Sequence, residues 1–312
     1  GSLMQGRAVV QTDTRTVEIQ EFELPEPEPR GILTEVVRTN ICGSDLHFWK
    51  GDFPYRGMMG HEAAVRVVEL GDDIDSDSRG EPLEEGDLIA PVYFIPCREC
   101  YACQSGEFAA CVNQGDNMAA PPDEFPHFHA TFGTHYYIKP EQYAYKIPEN
   151  VPESIAASAN CALSQVIYGF DQAGIQAGDD VVIQGAGGLG LHATAVARER
   201  GANPIVVEGV GERIETLERF GPDHIVDMRE FETVEERTEE IERLTGGKGA
   251  DVALEVAGVA DAFSEGVRFL KNTGTYVEIG NISFGDSTEL APSRLTWNSR
   301  TVIGIAYYQP WY

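Results

Sequence analysis

Hydrophobic and polar positions in the first half of the chain fall into short alternating runs. These are Arg7–Val10, Val17–Phe22, Ile32–Thr39, Ala63–Glu69, Asp87–Phe94 and Thr134–Ile138. Pro and Gly separate them, as in LPEPEPRG at 24–31, and no long helical period appears. Alternation of period two with such punctuation predicts an irregular all-β domain. The loop 112–133, with PPDEFPHFH, reads as irregular.

The rhythm changes near residue 165. Short apolar strands are expected at Asp180–Gln184, Pro204–Glu208, His224–Asp227, Ala250–Val256, Thr275–Ile279 and Thr301–Tyr307. Helical segments fall between them at 188–200, 211–220, 232–245 and 260–271. Strand–helix alternation predicts a parallel, doubly wound sheet with helices on both faces. The fold class is α/β, with a β domain over 1–162 and a nucleotide-binding type domain over 163–312.

One turn in that second half carries chemistry. Strand residues VVIQ run into Gly185-Ala186-Gly187-Gly188-Leu189-Gly190 and then a helix. The first glycine permits a tight turn, the second lets the backbone approach a pyrophosphate, and the third lets helix and strand pack closely. A bare G-x-G-x-x-G is weak evidence, but strand before and helix after are both present here. An acid about 20 residues on is the confirming feature, and Glu208 ends the next strand. Its carboxylate suits a ribose 2′-hydroxyl and repels a 2′-phosphate, so NAD is favoured over NADP, with Arg213 close enough to blur the preference.

Cysteine spacing adds a metal. Four of the six cysteines form Cys97-x2-Cys100-x2-Cys103-x7-Cys111, a set that suits one tetrahedral Zn²⁺ with no open position. Disulfides at two-residue spacing would need strained rings, and an iron–sulfur cluster would normally show another spacing. Cys42 and Cys161 are far apart, with His61 between them in Gly60-His61-Glu62. Two thiolates, an imidazole and a water would make an exchangeable zinc site. Counting alone leaves Cys161 equally open to the inert buried role of a lone cysteine.

Taken together, Cys42-Gly43-Ser44-Asp45-Leu46-His47, Gly60-His61-Glu62, the four-cysteine lobe and the turn at 185–190 resemble, in order and spacing, the zinc-containing medium-chain alcohol dehydrogenases. The resemblance spans nearly the whole chain. It implies a GroES-like catalytic domain, a Rossmann domain and an active site in the cleft between them. It implies that Cys42, His61 and Cys161 bind a catalytic zinc, with Glu62 as an occasional ligand, and that Cys97, Cys100, Cys103 and Cys111 bind a structural one. Ser44 matches the hydroxyl that hands on the substrate proton, His47 the far end of that relay, and Asp45 the carboxylate that orients the ligand histidine. Gly185, Gly187, Leu189, Gly190 and Glu208 match the NAD site, and Ile279 and Ile305 fall where backbone flanks the nicotinamide. Phe48, Trp49, Tyr93, Phe94 and Phe128 lie near the family's substrate channel and favour an apolar or aromatic alcohol. His127 and His129 fall near the expected pocket mouth, while His135, His192 and His224 read as structural. The last strand commonly pairs between subunits in such proteins, so a homodimer or homotetramer is expected. The chain ends at Tyr312, before the segment that normally returns to the catalytic domain.

The implied reaction is hydride transfer between an alcohol and NAD⁺, giving an aldehyde or ketone. A polyol, threonine or other hydroxy-compound dehydrogenase of the same superfamily is the alternative; Glu often replaces the second catalytic cysteine there, so Cys161 leans toward alcohols. A non-catalytic zinc- and nucleotide-binding sensor would leave Ser44 and His47 without a reason for their positions.

Charge narrows the partners. The 312 residues hold 51 acidic and 23 basic side chains, a net charge of −28. Such a surface repels nucleic acid and anionic membranes. No run approaches the ~18–20 apolar residues of a membrane helix, and Gly1-Ser2-Leu3 ahead of Met4 reads as an expression remnant rather than a signal segment. A cytoplasmic protein with a small-molecule substrate is expected. Only five basic residues are Lys, and acidic runs recur at 71–87 and 232–243. This composition resembles proteins of salt-loving organisms, here a haloarchaeal type. The repulsion is screened as the Debye length falls to ~3 Å at about 1 M salt. The melting temperature should therefore rise from dilute buffer to about 2 M KCl, well past full screening; a flat or falling thermal midpoint would contradict the halophilic reading.

Overall fold

The computed structural model describes residues 4–114 and 120–312. Gly1-Ser2-Leu3 and residues 115–119 of the irregular loop lie outside the described residues. The chain divides into two compact units, Gly1–Cys161 with Gln309–Trp311, and Ala162–Tyr308 with Tyr312.

The first unit is built on antiparallel β-structure. Its strands are β1 (Gln5–Asp13), β2 (Thr16–Glu23), β3 (Ile32–Asn40), β4 (Gly57–Met58), β5 (Glu62–Leu70), β6 (Leu88–Pro91), β7 (His135–Ile138) and β8 (Ala144–Lys146). They form one sheet in the order β2-β1-β4 and a second in the order β7-β3-β5-β6-β8. Ile32, Val65, Val67, Ile89, Tyr136 and Ile138 bury the inner face of the larger sheet. Ala63, Ala64 and Val65 at the start of β5 are fully buried, which holds the adjacent His61 and Glu62 against the core. Strand β6 ends at Pro91, short of the expected Phe94, because Pro brings no N–H to extend the ladder. An eight-residue helix, Gly43–Lys50, follows β3; it ends at Gly51 in the left-handed region at φ 84°. The sequence period is too short to announce it. Gln309–Trp311 belong to this unit: the Gln309 side chain accepts from Ala109 N–H at 3.1 Å and donates to Glu107 at 3.0 Å.

The second unit holds a six-stranded sheet in which every neighbouring pair is parallel. Its strands are β9 (Asp180–Gln184), β10 (Asn203–Glu208), β11 (His224–Asp227), β12 (Ala250–Glu255), β13 (Leu270–Glu278) and β14 (Thr301–Gly304). The order β11-β10-β9-β12-β13-β14 reverses direction between β9 and β12, the switch point at which doubly wound sheets bind dinucleotides. Val181, Val182 and Ile183, and Ile205, Val206 and Val207, are buried, as strands covered on both faces must be. The helices run 188–199, 211–218, 234–244 and 260–269. A further helix, Ser164–Ala173, was not legible, because Gly169 interrupts its pattern; a side chain there would press within 3.3 Å of Val277 and Ile279. Strand β13 starts earlier than expected, at Leu270, and β14 stops sooner, at Gly304.

Register across β12 and β13 sets Glu255 opposite Glu278. Glu255 is fully buried and accepts from Gly258 N–H at 2.6 Å and Gly280 N–H at 2.9 Å. Asn281 donates to Glu278 at 2.6 Å. Burial, and then the facing Glu255, raises the Glu278 carboxyl to about 9, so it keeps its proton at neutral pH. A carboxyl with a raised folded pKa contributes stability below its unfolded pKa and loses it as pH climbs toward the folded value. Glu278→Gln should thus match the parent near pH 4.5 and overtake it as pH rises toward 9. The gain should reach at least one pKa unit's worth, about 1.4 kcal/mol, or about 2–4 °C in Tm; melting curves of the pair across that range check it.

Candidate metal and nucleotide sites

Cys42 stands at the start of the helix Gly43–Lys50 in extended conformation. The third helical residue, Asp45, is buried and folds back so that its Oδ2 accepts from Cys42 N–H at 2.8 Å. This is the return half of a capping box. The other oxygen, Oδ1, lies 3.3 Å from His61 Nδ1. One carboxylate thus fixes a cysteine backbone and an imidazole ring together, and leaves His61 Nε2 free to point elsewhere. Tyr93 packs on the ring at 4.8 Å between centroids.

Cys161 arrives from a π-turn, Ala159–Leu163. Its Sγ lies 3.9 Å from that of Cys42. Ligand atoms of Cys42, His61, Glu62 and Cys161 all fall within 4.8 Å of one another. The protonation states show what such crowding does. Cys42 is lowered to about 3, first by the hydrogen bond from Cys161, against its burial, with further help from His61 and Ser44. Cys161 is raised well above the ordinary thiol range by its bond to Cys42 and by burial. Burial opposes a charge on His61, yet Asp45 and Cys42 push it up to about 10. Glu62 rises to about 7 through burial and then the Cys42 charge. The pocket collects more anionic groups than it can hold ionised without a cation. Zinc fits: two Zn–S bonds of about 2.3 Å at a tetrahedral angle place their sulfurs about 3.8 Å apart, against the 3.9 Å found.

Ser44 lies beside Cys42 and bonds to its sulfur. His47 sits one turn further along the same helix, with Nδ1 held 2.7 Å from Asp52. Phe94 and Phe128 are fully buried and Phe128 belongs to the core with Val10, Met58 and Tyr137, so both serve as packing rather than as channel walls. His127 stacks on Phe22.

The four remaining sulfurs also converge within 4.8 Å. Successive backbone N–H groups aim at them: Cys97 N to Cys111 Sγ at 3.2 Å, Cys100 N to Cys97 Sγ at 3.4 Å and Cys103 N to Cys100 Sγ at 3.5 Å. Asn113, which the spacing alone did not mark, donates to Cys97 Sγ at 3.2 Å. The Glu99 and Cys100 N–H groups lower the Cys97 thiol to about 6, while burial raises Cys103 to about 12. All six cysteines are free thiols, and four sulfurs with amide donors around them suit a closed zinc site.

In the second unit Gly185 adopts φ 110°, and a Cβ on Gly190 would stand 1.9 Å from the Gly185 carbonyl oxygen. The helix Gly188–Glu199 begins after Gly187 with no side-chain cap. Its first N–H groups are open to an anion, and side chains at Gly187 or Gly188 would meet nothing within 4 Å. Leu189 is half-buried in this first turn. Glu208 is buried, with Oε1 accepting from Ala186 N–H at 3.0 Å and Oε2 from Gly209 N–H at 2.7 Å and Val210 N–H at 3.2 Å. Arg213 reaches within 3.5 Å of the same carboxylate. Ile279 just after β13 and Ile305 just after β14 are buried, their N–H groups bonded to the Glu255 and Glu278 carbonyls respectively.

The chain is similar to known zinc-dependent dehydrogenases. Residues 28–149 match the alcohol dehydrogenase GroES-like domain and residues 188–312 the zinc-binding dehydrogenase domain. The chain is 30% identical to 5-exo-hydroxycamphor dehydrogenase of Pseudomonas putida, over 99% of this chain and 85% of the relative. It is 30% identical to L-threonine 3-dehydrogenase of Pyrococcus furiosus, over 95% and 82%. An alcohol dehydrogenase structure from Thermotoga maritima superposes with a TM-score of 0.89 at 33% identity, covering 97% of this chain and 85% of that one. Metal analysis should find two zinc per chain. Cys161→Ser should lose one of them, and Cys97→Ser the other together with thermal stability; a full zinc complement in Cys161→Ser would refute the first site.

Proposed function

Because the chain belongs to the zinc-containing medium-chain alcohol dehydrogenase family, we propose that it oxidises an alcohol to an aldehyde or ketone with NAD⁺, and runs the reverse reduction. The observation that carries this reading is the convergence of Cys42, His61 and Cys161 beside Ser44. Those three side chains would hold the catalytic zinc, with Glu62 in reach. Zinc bound there supplies Lewis acidity toward a substrate hydroxyl oxygen. NAD supplies the hydride acceptor.

The remaining work belongs to the protein's own side chains. Ser44 Oγ takes the proton that the substrate hydroxyl gives up. His47, oriented by Asp52, is the outer station from which that proton leaves for solvent, its side chain being 28% exposed. Asp45 holds the His61 ring in the tautomer that presents Nε2, as such partners of metal-bound histidines do. In the nucleotide site the open N–H groups at Gly187–Gly190 receive the pyrophosphate. Glu208, already anchored by three amides, meets the ribose hydroxyls and disfavours a 2′-phosphate, so NAD is the preferred cofactor.

Similarity to the threonine dehydrogenase supports a second reading, a polar hydroxy compound as substrate. Tyr93 against His61, and Phe48 packed with Phe53 and Tyr55, favour an apolar or aromatic alcohol. Strand β14 is an open sheet edge, and Val302 on it and Trp297 before it are exposed; we take this edge to pair protomers into a homo-oligomer. Among the described residues no helix is long and apolar enough to cross a membrane. Free cysteines grouped for metal fit a reducing cytoplasm, and the net charge of −28 fits a halophilic one.

A screen of NAD⁺ reduction over alcohols, diols, sugars and hydroxy acids in molar KCl tests the proposal. Turnover should appear with apolar or aromatic alcohols, and Ser44→Ala should lower kcat by about 100-fold or more, the usual worth of a placed proton-transfer group. No turnover in any class, with zinc and nucleotide both bound, would instead leave a sensor.

A further inference from the structure

We propose that Asn160 is the positioning residue that fixes Cys161 relative to His61, and so sets the geometry of the Cys42, His61 and Cys161 trio. The inference rests on the metal reading of that trio. Asn160 immediately precedes Cys161 and is only 4% exposed. Its Nδ2 donates to the His61 carbonyl at 2.9 Å and to the Pro91 carbonyl at 2.7 Å. These acceptors lie 99 and 69 positions away in the chain.

Three segments therefore meet at one amide. His61 stands at the entry to β5, Pro91 ends β6, and Asn160 lies in the π-turn that carries Cys161. A π-turn is rare and recurs where a helix must present a functional side chain. Both N–H donors of the amide are used, one on each strand, so the turn can neither slide along the sheet nor rotate away from it. The Pro91 bond has a second effect. Two residues on, Tyr93 packs against the His61 ring, and the intervening Val92 carbonyl is taken by Gln142 Nε2 at 2.9 Å. The β6 exit is thus pinned by two buried amides just where it backs the imidazole.

Asp45 and Asn160 divide the task. Asp45 ties Cys42 to the His61 ring, and Asn160 ties the His61 backbone to Cys161. The two sulfurs face each other at 3.9 Å because each is referred to the same histidine. Asn places two diverging N–H donors on a short stem; Asp lacks them, and Gln would push the turn outward.

The test is zinc release from intact, zinc-loaded Asn160→Ala and Asn160→Asp to a chromogenic chelator. The parent should release its two zincs in two phases, and the phase absent from Cys161→Ser identifies the metal of the trio. Both variants should accelerate that phase about 10–100-fold, the range typical when a partner behind a metal ligand is lost, and leave the other phase unchanged. The visible d–d bands of cobalt(II) at the trio should shift, and kcat should fall while the KM for NAD⁺ holds. An unchanged phase with an unchanged cobalt spectrum would overturn the proposal. Equal acceleration of both phases would overturn it too, by showing a general loosening. Should the Ala variant not fold, the Asp variant, alike in shape, decides alone. If the parent shows no Cys161-dependent phase, the metal reading itself fails and this inference falls with it.

Discussion

Two sulfur atoms 119 positions apart in the chain stand 3.9 Å apart in a part-buried pocket. Both cannot be ionised there without a cation, since like charges at that range in a poorly solvated site repel strongly. Much of the local architecture follows from keeping them together. The helix Gly43–Lys50 delivers Cys42, the π-turn delivers Cys161, and β5 starts with a fully buried run that holds His61 and Glu62 at its mouth. Thiol-rich sites of this kind couple metal binding to proton release, because sulfur binds a metal as the thiolate. Asp45 adds a second carboxylate charge behind the imidazole, making the nitrogen that faces the sulfurs a better electron donor.

The second unit solves a different problem, how to receive a charged dinucleotide on a protein that is itself strongly anionic. An uncapped helix start suits an anion through its backbone dipoles, without cationic side chains. The helix Gly188–Glu199 opens without a cap, so its amides are available, and the glycines keep side chains out of the way. Two acids nearby are tamed by amides: Glu208 by three N–H groups and Glu255 by two. Glu278 is tamed by a proton instead.

How legible this was differs by kind of feature. The parallel strand Asp180–Gln184 begins and ends where its apolar run does, because burial on both faces leaves only apolar residues between its ends. Cys97, Cys100, Cys103 and Cys111 announce each other, since their spacing is short and their chemistry shared. Cys42, His61 and Cys161 do not, as only the folded chain brings them within reach; the resemblance in motif order was needed to group them. Short helices such as Gly43–Lys50 were hidden because two turns are too few to show a period. Asn160, Asn113 and the Glu255–Glu278 pair were invisible for a related reason. A polar side chain that serves backbone or sulfur far along the chain leaves no local pattern. Phe94 and Phe128 mark the converse, aromatics whose position suggested a channel and whose complete burial makes them core.

Glu208 carries an architectural duty of its own. Its oxygens hold Ala186 inside the glycine turn and Gly209 and Val210 beyond its own strand, so one carboxylate braces two adjoining crossovers of the sheet. Neutralising position 208, as a redesign toward a phosphorylated nucleotide would do, would remove that brace. Three amides, the buried one of Ala186 among them, would lose their acceptor at once. A successful cofactor exchange has to import new acceptors for those amides before it adds any cation for the phosphate.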